Sequence, residues 1–235
     1  MNIIRKNIPN SITCINIACG VLAILTASHG SGPLWGLKAY EWSWLFIGFA
    51  AIADFFDGFA ARLLKAYSDM GKELDSLCDL VSFGVAPAIT MYYCLGETAT
   101  PSWVRWLVVL IPVAGALRLA KFNIDTRQTV NFIGLPIPAN AIFWIGYSAL
   151  CYQGVGFLTE WWWFIPILLV ECWLMISSVG FFSLKFKTWG WKGNALRWML
   201  IITAPVLVLC LGVGGLLWTI VAYALYSIFD KKEGQ

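Results

Sequence analysis

Charged residues are scarce in this sequence, and histidine occurs only once. Among 235 residues there are 16 Lys or Arg and 13 Asp or Glu, whereas 60% are apolar, and the mean hydropathy is +0.74. This composition excludes an ordinary soluble domain. The formal net charge of +3 is too small for the basic surface of a nucleic-acid-binding protein, so no nucleic-acid partner is expected. The sequence therefore predicts a protein whose main solvent is the lipid bilayer.

Paired cysteines and metal-binding cysteine motifs are also lacking. Seven cysteines are scattered through apolar stretches, and no CxxC motif occurs. A disulfide framework and a zinc site are therefore excluded as explanations of the fold. The apolar N-terminus resembles a signal peptide, but it has no persuasive small-residue cleavage site, so we expect a retained first span.

Eight apolar runs are bounded by glycine, proline and charge, and each is long enough to be a candidate spanning helix. They are residues 11–29, 43–65, 74–96, 102–121, 138–158, 161–184, 195–211 and 213–229. The last two runs are short and meet at Gly212, Gly214 and Gly215, so a single broken or re-entrant element is the alternative there. With the N-terminus inside, only Lys38 and Arg105 lie outside. This positive-inside bias predicts that both termini are cytoplasmic.

Acidic residues are concentrated at the ends of the second and third runs. A carboxylate at membrane depth costs roughly 2.5 to 3.5 kcal/mol on insertion scales, yet four occur here, namely Asp54, Asp57, Asp75 and Asp79. Helical spacing places each pair on one helix face, so the two faces can meet. Four such carboxylates would repel one another unless a cation neutralised them. Oxygen ligands without nearby His or Cys favour a hard divalent cation such as Mg²⁺, Mn²⁺ or Ca²⁺.

The segment also carries a specific motif. It reads Asp54-x-x-Asp57-Gly58-x-x-Ala61-Arg62, eight further residues, then Gly71-x-x-x-Asp75-x-x-x-Asp79. This pattern resembles, position for position, the signature of the CDP-alcohol phosphotransferases. The resemblance implies an all-α integral membrane enzyme, generally a homodimer, with a six-helix core. Such enzymes move a phosphoryl-containing group from a CDP-linked donor to an alcohol and release CMP.

The resemblance also implies roles for particular residues. Divalent metal, Mg²⁺ or Mn²⁺ and as a pair of ions, would be held by Asp54, Asp57, Asp75 and Asp79, with Asp79 also acting as the catalytic base. The nucleotide and phosphate pocket would be formed by Asn10, Thr13, Asp57, Gly58, Ala61, Arg62, Gly71 and Asp75. Residues 1–184 would form the catalytic core, and residues 185–235 would extend it with about two further spans, giving eight in total.

Further stretches resemble one branch of that family, the bacterial and archaeal membrane-embedded phosphatidylserine synthases. They are Pro9-Asn10 with Thr13, Ala116–Asn123 and Phe132–Ala139. The branch implies CDP-diacylglycerol as donor and L-serine as acceptor. Candidates for binding serine are Arg118, Lys121, Asn123, Arg127 and Asn131. Lys121 stands where relatives commonly have Arg, which keeps the charge but loses the planar fork.

Two alternatives remain open at the level of sequence. The signature concerns the donor chemistry, so another acceptor, such as glycerol 3-phosphate, an inositol derivative or an aminoalcohol, is the nearest rival. A divalent-cation transporter is the rival from another class, because buried aspartates also form transport sites. For the enzyme, we expect a location in the cytoplasmic membrane of the cell with the active site facing the cytoplasm.

Overall fold

The protein is almost entirely helical. The computed structural model describes residues 3–124, 132–155, 160–183, 190–191 and 194–230. In these residues the helices are α1 (Ile3–Ala27), α2 (Ala39–Leu64), α3 (Asp69–Asp79), α4 (Ala86–Gly96), α5 (Ser102–Arg105), α6 (Leu110–Ile124), α7 (Ile137–Tyr152), α8 (Trp161–Ile176), α9 (Ala195–Leu211) and α10 (Gly215–Asp230). A π-helical segment (Leu80–Val85) joins α3 to α4, and 3₁₀ segments join α5 to α6 (Trp106–Val109) and α9 to α10 (Gly212–Gly214).

Within the described ranges, five helical stretches are long and apolar enough to cross a membrane. They are Asn7–Ala27, Ala39–Leu64, Asp69–Gly96, Ser102–Ile124 and Ala195–Phe229. Helices α7 and α8 are shorter, with 16 residues each. The prediction of an all-α, polytopic membrane protein is confirmed. The division at residue 184 stays a prediction, since it falls where the structure describes no residues.

The last apolar stretch is a hairpin of two helices. Helix α9 ends before Gly212, whose φ of +61° is readily adopted only by glycine. Beyond this turn α10 returns along α9, and the hydroxyls of Thr203 and Tyr226 lie 3.4 Å apart. A side chain at Gly215 would collide with the backbone of Leu207. Of the two interpretations left open by the sequence, the structure therefore has two packed helices.

The larger hydrophobic core lies around α7. Trp144 and Tyr147 are almost completely buried there and pack against Phe164 of α8, with ring centroids 5.8 and 6.1 Å from that ring. Helix α10 lies close to α7 because Gly146 has no side chain, and an added Cβ would be 2.9 Å from Leu217 Cα. The C-terminal hairpin is thus part of the same packed bundle.

Helices α1 and α2 form the second packed unit and position the acidic residues. The small residues Ala23 and Ala50 are fully buried, which allows close approach of helices, as is common in membranes. The chain runs along α1 away from its N-terminal end and back along α2. The first turns of α1 and the last turns of α2 therefore lie at the same end of the bundle.

A π-helical segment follows Asp79 directly. Pro87 has no N–H group, so it cannot donate to the carbonyl of Phe83 four residues earlier. Asn140 of α7 occupies that carbonyl instead, with Nδ2 3.4 Å from Phe83 O, and its own oxygen accepts from Trp144 Nε1 at 2.8 Å. The widened turns are thus held by a neighbouring helix. Such segments occur frequently at functional sites.

Two short antiparallel strand pairs connect the helices. Strand β1 (Pro33–Leu34) pairs with β2 (Leu37–Lys38), and β3 (Phe132–Ile133) pairs with β4 (Gly180–Phe181). After β3, the N–H of Gly134 donates to Val179 O at 2.8 Å. Gly134 has a φ of +79°, and a side chain there would collide with the backbone of Met175. The segment before α7 is thereby fixed against the end of α8.

Candidate active site

A tight connection between α2 and α3 brings the two halves of the motif together. Helix α2 ends at Lys65, which has a left-handed φ of +52° and whose N–H bonds back to the last turn of the helix. Helix α3 begins after Ser68, whose hydroxyl accepts from the N–H of Gly71 at 3.0 Å, as an N-cap does. The last turns of α2 therefore face the first turns of α3.

Three aspartates converge at this junction. Carboxylate oxygens of Asp54, Asp57 and Asp75 all lie within 4.8 Å of one another. Asp57 is only 5% exposed, and the other two are half-buried. Oxygen atoms of Asp57 (Oδ2) and Asp75 (Oδ1) are buried without a hydrogen-bond partner. Buried polar atoms without partners are uncommon, so this cluster has unused capacity for a ligand.

The cluster fits a divalent cation. All three residues offer hard oxygen ligands, which Mg²⁺ and Mn²⁺ prefer. Oxygens bound to opposite sides of one such ion lie about 4 to 5 Å apart, comparable to the spacing in the cluster. Without a cation, three packed carboxylates would repel one another. The observed geometry is therefore that expected of a metal site.

A cleft of about 220 Å³ opens beside the cluster. Its walls come from α1, the end of α2 and the start of α3, and they include all eight residues predicted for the nucleotide pocket: Asn10, Thr13, Asp57, Gly58, Ala61, Arg62, Gly71 and Asp75. Gly71 matters for the shape of this cleft, because a Cβ there would lie 3.1 Å from Asn10 Oδ1. The predicted pocket residues therefore share one cavity.

The cleft has further walls that the sequence did not reveal. They are Pro9, Ala66, Tyr67, Ser68 and Lys72. Tyr67, Ser68 and Lys72 lie in or next to the eight residues between the two halves of the motif, where the prediction used only the spacing. A Tyr, a capping Ser and a Lys in so short a connection were the available signal.

Asp79 lies apart from the three clustered carboxylates, at the last position of α3. It is 8% exposed, and its Oδ1 accepts a hydrogen bond of 3.1 Å from Asn16 Nδ2 of α1. Asn16 is fully buried, and its own Oδ1 has no partner. The backbone oxygen of Asn16 accepts from Ser82 Oγ of the π-helical segment at 3.0 Å. Asn16 was missed from sequence, since nothing local marks a partner 63 residues away.

The predicted serine-binding residues are not brought to one place. Arg118 of α6 is 7% exposed, has an unpartnered Nε and interacts electrostatically with Asp79 and Tyr223. Lys121 instead donates from Nζ to Ile176 O at 3.1 Å, at the C-terminus of α8. Asn123 donates to Ser76 Oγ at 2.9 Å. The remaining two candidates, Arg127 and Asn131, lie outside the described residues.

Another buried acid was missed from sequence. Glu171 lies on α8, is 5% exposed and has an unpartnered Oε2. It is not among the residues that line the cleft. Its signal was visible, because it is the only acidic residue in the apolar run of α8.

Comparison with known proteins places these features in a family. Residues 6–188 match the model of the CDP-alcohol phosphatidyltransferase family. Three similar proteins are each named CDP-diacylglycerol–serine O-phosphatidyltransferase. The Bacillus subtilis protein is 37% identical over 74% of this chain and 89% of its own length. For Mycobacterium leprae the values are 38%, 73% and 57%, and for Methanocaldococcus jannaschii 38%, 63% and 64%. This chain thus spans less than two thirds of the mycobacterial and archaeal relatives.

Proposed function

We propose, because this chain belongs to the CDP-alcohol phosphatidyltransferase family, that it transfers the phosphatidyl group of CDP-diacylglycerol to L-serine. The products are phosphatidylserine and CMP. The observation that carries this proposal is the cluster of Asp54, Asp57 and Asp75 beside a cleft lined by all eight predicted pocket residues. The names of the relatives supply the donor and the acceptor.

In this proposal Asp54, Asp57 and Asp75 hold divalent metal, with Asp79 as a further ligand. Either Mg²⁺ or Mn²⁺ suits the oxygen ligands, and we propose a pair of ions. When bound, the metal neutralises phosphate charge in the transition state and stabilises the departing CMP. The carboxylates orient the metal and hold it at the mouth of the cleft.

The cleft binds the donor's nucleotide and pyrophosphate. Arg62 and Lys72 place two cations on its walls, opposite in charge to the pyrophosphate. Gly58 and Gly71 contribute no side chains, so that phosphate oxygens approach the backbone closely. Asn10 offers an amide for hydrogen bonds. Positioning and electrostatics then account for most of the catalysis, as in other phosphoryl transfers.

The reaction is a displacement at the phosphorus that bears diacylglycerol. The hydroxyl oxygen of serine forms a bond to that phosphorus, the bond from phosphorus to the CMP oxygen breaks, and CMP leaves with the electron pair. Asp79 accepts the hydroxyl proton. Asn16 orients this carboxylate through its 3.1 Å hydrogen bond.

Serine requires a cation for its carboxylate. We propose Arg118 for that role, because its guanidinium is buried, has an unpartnered Nε and interacts with Asp79. Lys121 and Asn123 bond to neighbouring helices, so in this proposal they hold the wall of the acceptor site. Arg127 and Asn131 remain predicted serine ligands.

The proposed placement follows the charges. Cations Arg62, Lys65 and Lys72 lie beside the cleft, whereas Lys38 and Arg105 lie at the opposite end of the bundle. By the positive-inside rule the cleft then faces the cytoplasm, and both termini lie on that side of the cell membrane. We also propose a homodimer, as the family resemblance implies.

One assay tests the proposed function. Protein reconstituted in liposomes receives CDP-diacylglycerol and labelled serine, with Mg²⁺, with Mn²⁺ or after removal of metal by a chelator. We expect a labelled lipid and CMP in equal amounts, both dependent on metal. Labelled glycerol 3-phosphate and inositol are parallel acceptors, and faster turnover with either would replace serine. Metal flux without turnover would favour a transporter, and full activity without metal would overturn the role of the aspartates.

A further inference from the structure

A second cavity system lies at the end of the bundle opposite the aspartates. One cavity of about 420 Å³ is mostly apolar and is lined by Ile24, Leu25, Ser28, Ile89, Tyr92, Tyr93 and Trp106. The other, of about 270 Å³, is polar and is lined by Ser28, His29, Gly30, Tyr92, Tyr93, Gly96, Glu97 and Arg105. Because Ser28, Tyr92 and Tyr93 line both, the two form one continuous groove, here called the distal groove.

The distal groove has the chemical form of a lipid site. Its apolar part lies within membrane-spanning segments, between the ends of α1 and α4, and Trp106 at its edge is 66% exposed to the bilayer. Its polar part lies at the helix ends, where lipid headgroups lie. Its volume falls in the usual range of ligand pockets, roughly 300 to 1,000 Å³. An acyl chain and a headgroup therefore match the two parts in both polarity and position.

Arg105 supplies a site for phosphate in the polar part. Its Nη2 donates to the hydroxyl of Tyr92 at 3.1 Å, and its guanidinium lies 4.7 Å from the centre of that ring. These contacts fix the direction of the side chain. Its Nε is buried and has no hydrogen-bond partner. A guanidinium that is held in place with an unused donor is well suited to a phosphate diester.

Glu97 supplies the opposite charge. Its Oε1 accepts from the N–H of Ser31 at 2.6 Å, and its side chain is exposed at the rim of the polar part. His29 Nδ1 lies 3.1 Å from Leu25 O. With this histidine neutral, the polar part carries one positive and one negative group. Charge complementarity therefore favours a zwitterionic headgroup with phosphate and ammonium over an anionic one.

We propose that the distal groove binds one zwitterionic aminophospholipid of the surrounding bilayer. The phosphate lies at Arg105, the ammonium lies at Glu97, and an acyl chain packs against Ile24, Ile89 and Trp106. This site is separate from the cleft at the aspartates. It depends on no step of the proposed reaction.

Native mass spectrometry of the purified full chain tests the site. The protein is exchanged into mixed micelles holding equal amounts of dioleoyl phosphatidylethanolamine, dioleoyl phosphatidylglycerol and dioleoylglycerol, and the retained lipid is counted. We expect one retained phosphatidylethanolamine in preference to the other two. Arg105→Gln should lower its retention about tenfold, equivalent to about 1.4 kcal/mol. The matched control Lys38→Gln removes another exposed cation at the same end and should change nothing.

Two further variants separate the parts of the groove. Glu97→Gln should abolish the preference for phosphatidylethanolamine over phosphatidylglycerol without abolishing phospholipid binding. Ile89→Trp should fill the apolar part and reduce retention of both phospholipids. Retention of dioleoylglycerol equal to that of phosphatidylethanolamine in wild type would overturn the proposal. Unchanged retention in Arg105→Gln would do so as well, and if that variant fails to fold, unchanged selectivity in Glu97→Gln would overturn the proposal in its place.

Discussion

The two ends of the helix bundle carry ionisable side chains in opposite ways. At the cleft, three carboxylates of one sign converge within 4.8 Å, and two of their buried oxygens have no partner. At the distal groove, one cation and one carboxylate line a single polar cavity, and each already bonds to a neighbour. The first arrangement is unfavourable unless an external cation is bound, whereas the second is nearly balanced. The comparison indicates which end depends on a charged ligand for its stability.

The largest expected effect is at the cleft. Asp57→Asn should lower turnover about 10³-fold, because a buried ligand and its charge are lost from the transition-state site. Without metal the variant should be at least as stable as wild type, since repulsion falls. Labelled-lipid synthesis and thermal unfolding with and without Mg²⁺ measure both effects. Added Mg²⁺ should raise the unfolding temperature of wild type and not of the variant.

The control for that experiment is Asp69→Asn, which changes an exposed acid at the start of α3. It should keep near-wild-type turnover and the same response to Mg²⁺. Equal losses in both variants would mean that general negative charge, and not the cluster, supports the reaction.

A smaller effect is expected at the hydrogen bond to Asp79. Asn16→Leu keeps a similar volume but removes the donor to Asp79 Oδ1. We expect kcat to fall about 10- to 100-fold, as for other residues that orient a functional group, with little change in either KM. Steady-state kinetics in both substrates provides the measurement, and Asn7→Leu, an exposed change on the same helix, is the control. Raised KM values with normal kcat would contradict a positioning role.

The next effect concerns the acceptor. Arg118→Lys keeps the charge but loses the planar fork, so KM for serine should rise about tenfold while KM for CDP-diacylglycerol stays unchanged. Lys121→Gln is the comparison variant. Because Lys121 bonds to Ile176 O, its loss should lower stability more than it raises KM for serine. A larger rise in the KM for the donor in Arg118→Lys would move that residue to the donor site.

The smallest expected effect concerns the shape of the cleft. Gly71→Ala would place a Cβ 3.0 Å from Ser68 Oγ and 3.1 Å from Asn10 Oδ1. A cost of about 1 kcal/mol for such crowding corresponds to about a fivefold rise in the KM for CDP-diacylglycerol. Gly48→Ala is the matched control, because nothing lies within 4 Å of its added Cβ. Identical kinetics in both variants would show that Gly71 does not shape the donor site.

Much of the membrane fold was predictable because apolar runs are a local property. The predicted run 195–211 coincides with α9, and 213–229 differs from α10 by two residues at its start and one at its end. The start of α1 was predicted eight residues late, because its first turns at the cleft are polar. The π-helical segment was not predicted, since it depends on Asn140 of another helix taking the carbonyl of Phe83.

The candidate site was predictable to the extent that helix periodicity determines it. Spacings of three and four residues place Asp54 and Asp57 on one face and Gly71 and Asp75 on another. The contact between Asn16 and Asp79 joins residues 63 positions apart. Likewise, Lys121 reaches a carbonyl of α8, 55 residues away. No local pattern carries such partners, because they depend on which helices are neighbours.

The sequence by itself determined that the chain lies in a membrane as helices and that acidic residues share helix faces near one end. Hydropathy and the 3.6-residue period suffice for this, because both act within one helix. Tertiary structure alone decided that the oxygens of Asp54, Asp57 and Asp75 meet, while Asp79 bonds to Asn16. It also decided that Arg105 and Glu97 line one cavity. Distances between helices depend on how small residues such as Gly146 and Ala50 let them pack, and that is a property of pairs of helices.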